Sequence, residues 1–158
     1  MNMISALAGP SPGTDLFREW KKAGLRSVII GFEEIDDDRL KVINKSNTTA
    51  VNAEAIEILH EIGITIVGDF IISPDYDERH FQGLRDYLEK HAVDLPMPSV
   101  LTPLPGTDLY KSLKEKIIIH DLDYYTLTNA VLPTRMEEKA FYENYADLIQ
   151  KSHAEAKI

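Results

Sequence analysis

Two stretches of this chain run from helical periodicity through a glycine straight into a β-branched apolar run, and that alternation limits the fold more than any other feature. In the clearer case Val51, Ala55, Ile58, Leu59 and Ile62 mark one helix face, Gly63 stops the helix, and Ile64 to Ile72 follows as a buried strand. Thr48 or Thr49 supplies the N-cap. The earlier case has the same form. Leu16, Trp20 and Ala23 recur at helical spacing between Asp15 and Ala23, Gly24 ends that helix, and Ser27 to Phe32 reads as a strand. A third helix is predicted from Asp77 to His91, with Phe81, Leu84, Leu88 and His91 on one side. Pro96 to Thr102 is a third strand, with Pro96 and Pro98 near its start. A Pro103 to Thr107 turn then leads into a short helix over Asp108 to Lys114. Thr134-x-x-Glu137 has the form of a capping box opening a last helix that reaches Ser152. The fold class is therefore α/β, with repeated strand–helix units, a parallel sheet and right-handed crossovers. One sector of a (β/α) barrel and a small open sheet both satisfy this pattern, and either places ligands at the C-terminal strand ends.

Composition narrows the chemistry. The 158 residues contain no cysteine, which removes disulfides, thiolate zinc sites, cysteine nucleophiles and thiolate-held iron–sulfur clusters together. The net charge is -9, and no basic run exceeds Lys21-Lys22, so nucleic acid is not an expected partner. No apolar run is long enough for a membrane helix, and the first residues lack a basic leader, so the expected location is the cytoplasm. Residues 1–14 read as a flexible or cloning-derived lead-in.

Strand parity selects the candidate site residues. On the first strand Val28, Ile30 and Phe32 point to covering helices, while Ser27, Ile29, Gly31 and Glu33 point the other way. Glu33 lands at the strand's C-terminal end, where a carboxylate suits a hydroxyl pair such as a ribose. Equally, Glu33-Glu34 can simply open the acidic loop of Asp36, Asp37 and Asp38. Asp69 lies inside the second strand beside Thr65, Val67 and Ile71, lining a polar cavity or serving as a structural hydrogen-bonding residue. Gly68 beside it leaves room for a ligand or a backbone to approach. The five histidines show no metal-ligand spacing, and Walker, G-x-G-x-x-G and G-x-S-x-G motifs are absent.

The strings SVIIGFEE, DDDRLKVINKSNTTAVNAEAIEILHEIGI, TIVGDFIISPD and VLTPLPGTDLY, in this order, resemble the later half of a radical S-adenosylmethionine (radical SAM) core. The resemblance covers about residues 15 to 150 and is greatest to the cobalamin-dependent branch, among it the hopanoid C-methyltransferases. It implies a partial (β/α)6 barrel whose first-strand Cys-x3-Cys-x2-Cys loop binds a 4Fe–4S cluster, with S-adenosylmethionine chelated to the open iron. In the cobalamin branch it further implies methyl transfer from that cofactor. By this resemblance Glu33 corresponds to the ribose contact after the fourth strand. Ile66 and Gly68 match part of the fifth-strand G-x-I-x-G-x-x-E pattern that supports the adenine, although Ile64 replaces its first Gly and Ile71 its Glu. Leu101 and Thr102 correspond to the sixth-strand backbone near the adenine.

The cluster loop itself is missing. The resemblance thus predicts a half-barrel over residues 15–132, a C-terminal helix or extension over 133–158, and a chain that is inactive alone. Its partner would be the remainder of its parent chain, or a second copy paired along an exposed strand edge. Two other readings compete: a self-standing acidic α/β protein-interaction module, and a carboxylate metal hydrolase using Glu33, Asp69 and Asp75 with Mg²⁺ or Mn²⁺.

Overall fold

The computed structural model describes residues 12–42 and 48–154. Residues 1–11 of the lead-in, and the Asn44-Lys45 pair of the second quoted string, lie outside the described residues. Three strands, β1 (Ser27–Glu33), β2 (Thr65–Ile72) and β3 (Leu95–Val100), form one parallel sheet in the order β1-β2-β3. Helices fill the connections: α1 (Pro12–Lys22), α2 (Asp37–Val42), α3 (Thr49–Ile62), α4 (Glu78–His91), α5 (Asp108–Leu113) and α6 (Glu138–Ala154). No helix among the described residues is long and apolar enough to cross a membrane.

The local signals act as the sequence predicts. Thr48 caps α3 by accepting from Val51 N at 3.3 Å, and Gly63 leaves the helix at φ 80°, a conformation that a Cβ would penalise. Thr107 caps α5 by accepting from Tyr110 N at 3.1 Å, and Asp77, expected as the first residue of its helix, is instead the N-cap of α4. Two details differ. Thr134 does not cap α6, because its hydroxyl donates to Met136 O; Glu137 Oε2 instead accepts from Ala140 N. On α1, Leu16 and Trp20 remain 46% and 43% exposed while Phe17 enters the core. Helical spacing defines several stripes, and the one carrying Thr14 and Phe17 is the one turned inward.

Burial alternates along β1 and β2, so the sheet has one covered and one open face. Ile30, Phe32, Ile66, Phe70 and Ile72 point into a core shared with Ile56 and Leu59 of α3, Phe81 and Leu84 of α4, and Phe141 and Leu148 of α6. Phe32 and Phe70 stack at 5.4 Å within it. On the open face Ile29 is 69% exposed.

The two sheet edges differ in kind. Leu101 N bonds to Ile72 O, so the N–H positions of 96, 98 and 100 point away from β2. Two of these are Pro96 and Pro98, which have no N–H, and Val100 N is taken by Leu127 O at 2.6 Å. Tyr145 of α6 also donates to Pro98 O at 2.9 Å, so the β3 edge is closed. Beyond β1 no further strand pairs among the described residues.

At the opposite end of β2, Asp94 Oδ2 accepts from the backbone N–H of Ile66 at 2.8 Å and meets His60 Nε2 at 3.0 Å. Asp94→Ala leaves that part-buried N–H without its partner. A loss of about 1–3 kcal/mol is expected, read as a lower urea midpoint with unchanged slope.

Candidate functional site

A cleft of about 590 Å³ opens where β1 and β2 end, lined by Glu33, Glu34, Arg39, Ile71, Ser73, Asp75, Leu101 and Leu109. Its floor is the open sheet face. In register across the strands, Asp69 lies between Gly31 and Met97, and Ile71 lies beside Ser99 one step nearer the cleft.

Glu33 marks the rim. The β1–β2 register shifts between Gly31 and Glu33, and Glu33 takes φ 69° while Glu34 N bonds back to Phe32 O at 2.8 Å. That combination is a γ-turn with a positive central φ, a rare and strained form. For a residue with a Cβ it costs on the order of 1–2 kcal/mol. Irregularities of this kind at a strand end re-aim a side chain, and here the re-aimed group is a carboxylate facing the cleft.

Beside it, and lining part of the same cleft, lies a network that local sequence patterns do not reveal. Glu34 is only 7% exposed. Its oxygens accept from Ile35 N at 2.9 Å, from Tyr76 OH at 2.8 and 2.9 Å, and from Arg39 Nε at 2.7 Å. Arg39 uses its other nitrogens on both oxygens of Asp75, at 2.7 and 3.2 Å, and lies 5.1 Å from the centre of the Tyr76 ring. Asp36 caps α2 by accepting from Asp38 N and Arg39 N, which holds Arg39 in place. The only sequence hint was parity: continuing the β1 alternation puts position 34 on the covered side, where a charge requires partners.

The electrostatics follow from these contacts. The hydrogen bond from Arg39 lowers the Asp75 pKa to about 2. Burial would pull Arg39 down, but its bonds to Asp75 and Glu34 outweigh that and hold the guanidinium above its ordinary value. Burial, reinforced by Glu34, raises the Tyr76 phenol far above its usual range. Asp69 is raised, first by desolvation and then by the negative charge of Glu33. A carboxyl raised on folding binds its proton more tightly in the native state, so its ionised form weakens the fold above that pKa. Asp69→Asn should therefore stabilise the chain at neutral pH, with the gain fading as pH falls through the raised value and vanishing below the ordinary 3.8. Urea titrations of both forms between acid and neutral pH measure this.

The structure brings together Glu33, Asp69 and Leu101 on the open side and separates the remaining candidates from them. Ile66 is fully buried on the helix side. Gly68 shares that side, and a Cβ built on it would sit 2.8 Å from Val93 Cγ1 and 2.9 Å from Phe32 Cε2. The missing Cβ accommodates the packing of Phe32 and Val93, and neither Ile66 nor Gly68 presents a side chain to the open face. Thr102 is buried with its hydroxyl donating to Val100 O at 3.0 Å, so its side chain is also turned from the cleft. The metal-hydrolase alternative loses Asp75, whose two oxygens are both bonded to Arg39. Among the described residues no group of three or more His, Asp or Glu could hold a metal ion.

Comparison with known proteins agrees with this architecture. The model of the radical SAM superfamily matches residues 4–88. The chain is 31% identical over 128 residues to hopanoid C-3 methylase of Methylococcus capsulatus, a match covering 81% of this chain and 25% of that protein. It is 32% identical over 130 residues to bacteriochlorophyllide d C-12(1)-methyltransferase of Chlorobaculum tepidum, covering 80% of this chain and 28% of the relative. It is 29% identical over 123 residues to the anaerobic magnesium-protoporphyrin IX monomethyl ester cyclase of Cereibacter sphaeroides, covering 75% and 19% respectively. This chain belongs to the radical SAM superfamily. It spans about a quarter of the length of the first two relatives. With no cysteine in its sequence, it brings no thiolate to the iron–sulfur cluster that the family implies.

Proposed function

We propose that this chain supplies part of the S-adenosylmethionine- and substrate-binding wall of a radical SAM methyltransferase and is inactive by itself. The carrying observation is Glu33, aimed by its γ-turn into a cleft at the C-terminal strand ends. The residues present suit a nucleoside: Ile71 and Leu101 offer apolar surface to a base, and Glu33 offers a carboxylate to vicinal hydroxyls. They do not suit the cluster. Its cysteine ligands, and a cobalamin site where the parent has one, fall to the remainder of the parent chain. When bound there, these cofactors supply the radical and methyl-transfer chemistry, while this chain orients the nucleoside and excludes water. The edge of β1, along which no strand pairs among the described residues, is the place where that remainder, or a second copy, would add a strand. The proposed setting is cytoplasmic.

The coding region upstream of Met1 tests the assignment. An open frame carrying Cys-x3-Cys-x2-Cys is expected; a stop codon and promoter directly before Met1 contradict it. The interaction-module alternative draws on the exposed Leu16 and Trp20 of α1. It would gain if that second result were obtained.

A further inference from the structure

We infer that Arg39 and Tyr76, acting through the buried Glu34 carboxylate, are positioning residues that hold Glu33 in its ligand-facing conformation. The inference rests on the reading above that Glu33 meets a nucleoside.

A strained turn persists only where its surroundings over-determine it. The hydrogen bond from Glu34 N to Phe32 O closes the turn but does not explain why Glu33 stays at φ 69°. The constraint comes from the next residue. Glu34 is held from three directions: by its own backbone neighbour Ile35 N, by Tyr76 on the connection after β2, and by Arg39 on α2. Arg39 is fixed in turn by Asp75, the neighbour of Tyr76, so the segments following β1 and β2 are clamped together along one wall of the cleft. Tyr76 is itself immobilised, stacked on His80 at 5.0 Å and edge-on to Phe81 at 5.6 Å. With Glu34 locked, the chain can leave β1 only through a sharp reversal at position 33, and the Glu33 side chain is directed into the cleft. Removing a clamp bond frees Glu34, lets position 33 relax to negative φ, and turns its carboxylate away.

The test uses the full isotope-labelled chain, with adenosine and 2′-deoxyadenosine as probes, followed by amide shifts and amide exchange. The wild-type chain is expected to prefer adenosine over 2′-deoxyadenosine, with about a tenfold ratio of affinities as the scale of one charge-assisted hydrogen bond. Tyr76→Phe keeps the ring and its stacking but deletes the hydroxyl. It should abolish that preference and speed exchange of the Glu34 amide about tenfold, leaving exchange along Ile66 to Ile72 unchanged. Arg39→Lys keeps the charge but not the two-sided geometry, and should do the same. Glu33→Gln should lose the preference without altering Glu34 exchange. A wild-type chain that does not distinguish the nucleosides, or a Glu33→Gln variant that still does, overturns the nucleoside reading itself. A Glu33→Gln variant that loses the preference while Tyr76→Phe and Arg39→Lys keep it leaves that reading standing and overturns the positioning inference.

Discussion

Replacing Arg39 by Ala is expected to destabilise the chain by about 2–3 kcal/mol, at or just under the scale for removing one partner from a buried ion pair, since Glu34 is buried but Arg39 keeps 27% of its side chain exposed. The reason is less the lost attraction than what remains. Glu34, 7% exposed, would be left with Tyr76 OH and Ile35 N as its donors among the described residues. The Glu34→Gln, Arg39→Ala double variant should therefore lose less than Arg39→Ala alone, because no carboxylate is left there without its guanidinium partner. Urea midpoints of the four proteins in this cycle give the comparison. A loss under about 0.5 kcal/mol for Arg39→Ala would place the pair among exposed bridges of little consequence. The Asp75 arm of the network adds a pH signature. Its carboxylate is lowered to about 2 by Arg39, so its contribution is complete above the ordinary 3.8 and is lost as pH falls through about 2. Acid titration of Asp75→Asn should be the flatter across that window.

Gly68→Ala should lower stability by about 2 kcal/mol, within the range for overfilling a packed core. The added methyl would meet a buried aromatic ring and a β-branched side chain at under 3 Å, and neither can swing aside without disturbing the Phe32–Phe70 stack. Phe32→Leu in the same background should recover part of the loss, since the smaller side chain makes room. Gly83 provides the contrast inside α4. There a Cβ meets Ile35 Cδ1 at an ordinary 3.5 Å, so Gly83→Ala should raise stability by about 0.5–1 kcal/mol through helix propensity alone. A Gly68→Ala chain as stable as the parent, or stabilised as Gly83→Ala is expected to be, would refute the packing role given to Gly68.

These two glycines illustrate what could be read from the chain and what could not. Strand parity depends only on the two-residue period, so the faces of Ile30, Phe32 and Asp69 followed from their positions, whereas Glu33 reaches the cleft through a register shift and γ-turn that parity does not foresee. The helix stop at Gly63 and the cap at Thr48 are equally local. The reason for Gly68 is not local, because Phe32 and Val93 reach it from different segments. Nor is the partner set of Glu34: Arg39 is five residues away, but Asp75 and Tyr76 arrive only when β1 and β2 pair. The parity that put Asp69 on the open face puts Ile66 and Gly68 on the covered one. The family resemblance drew attention to those two residues regardless of the direction they face. At Thr134 the capping-box pattern was present but Glu137 took the cap, since a four-residue motif does not determine which acceptor the folded backbone meets.

The central claim is that the open face at the ends of β1 and β2 is an incomplete S-adenosylmethionine site, and an amide-resolved titration of the chain with S-adenosylmethionine tests it most directly. The predicted result is weak binding, with a dissociation constant of about 1 mM or above because the cluster that would anchor the amino and carboxylate groups is missing. The shifts should concentrate at Glu33, Asp69, Ile71 and Leu101 and spare Ile66 and Gly68. Micromolar or tighter binding, or shifts lying elsewhere than this cleft, would contradict it.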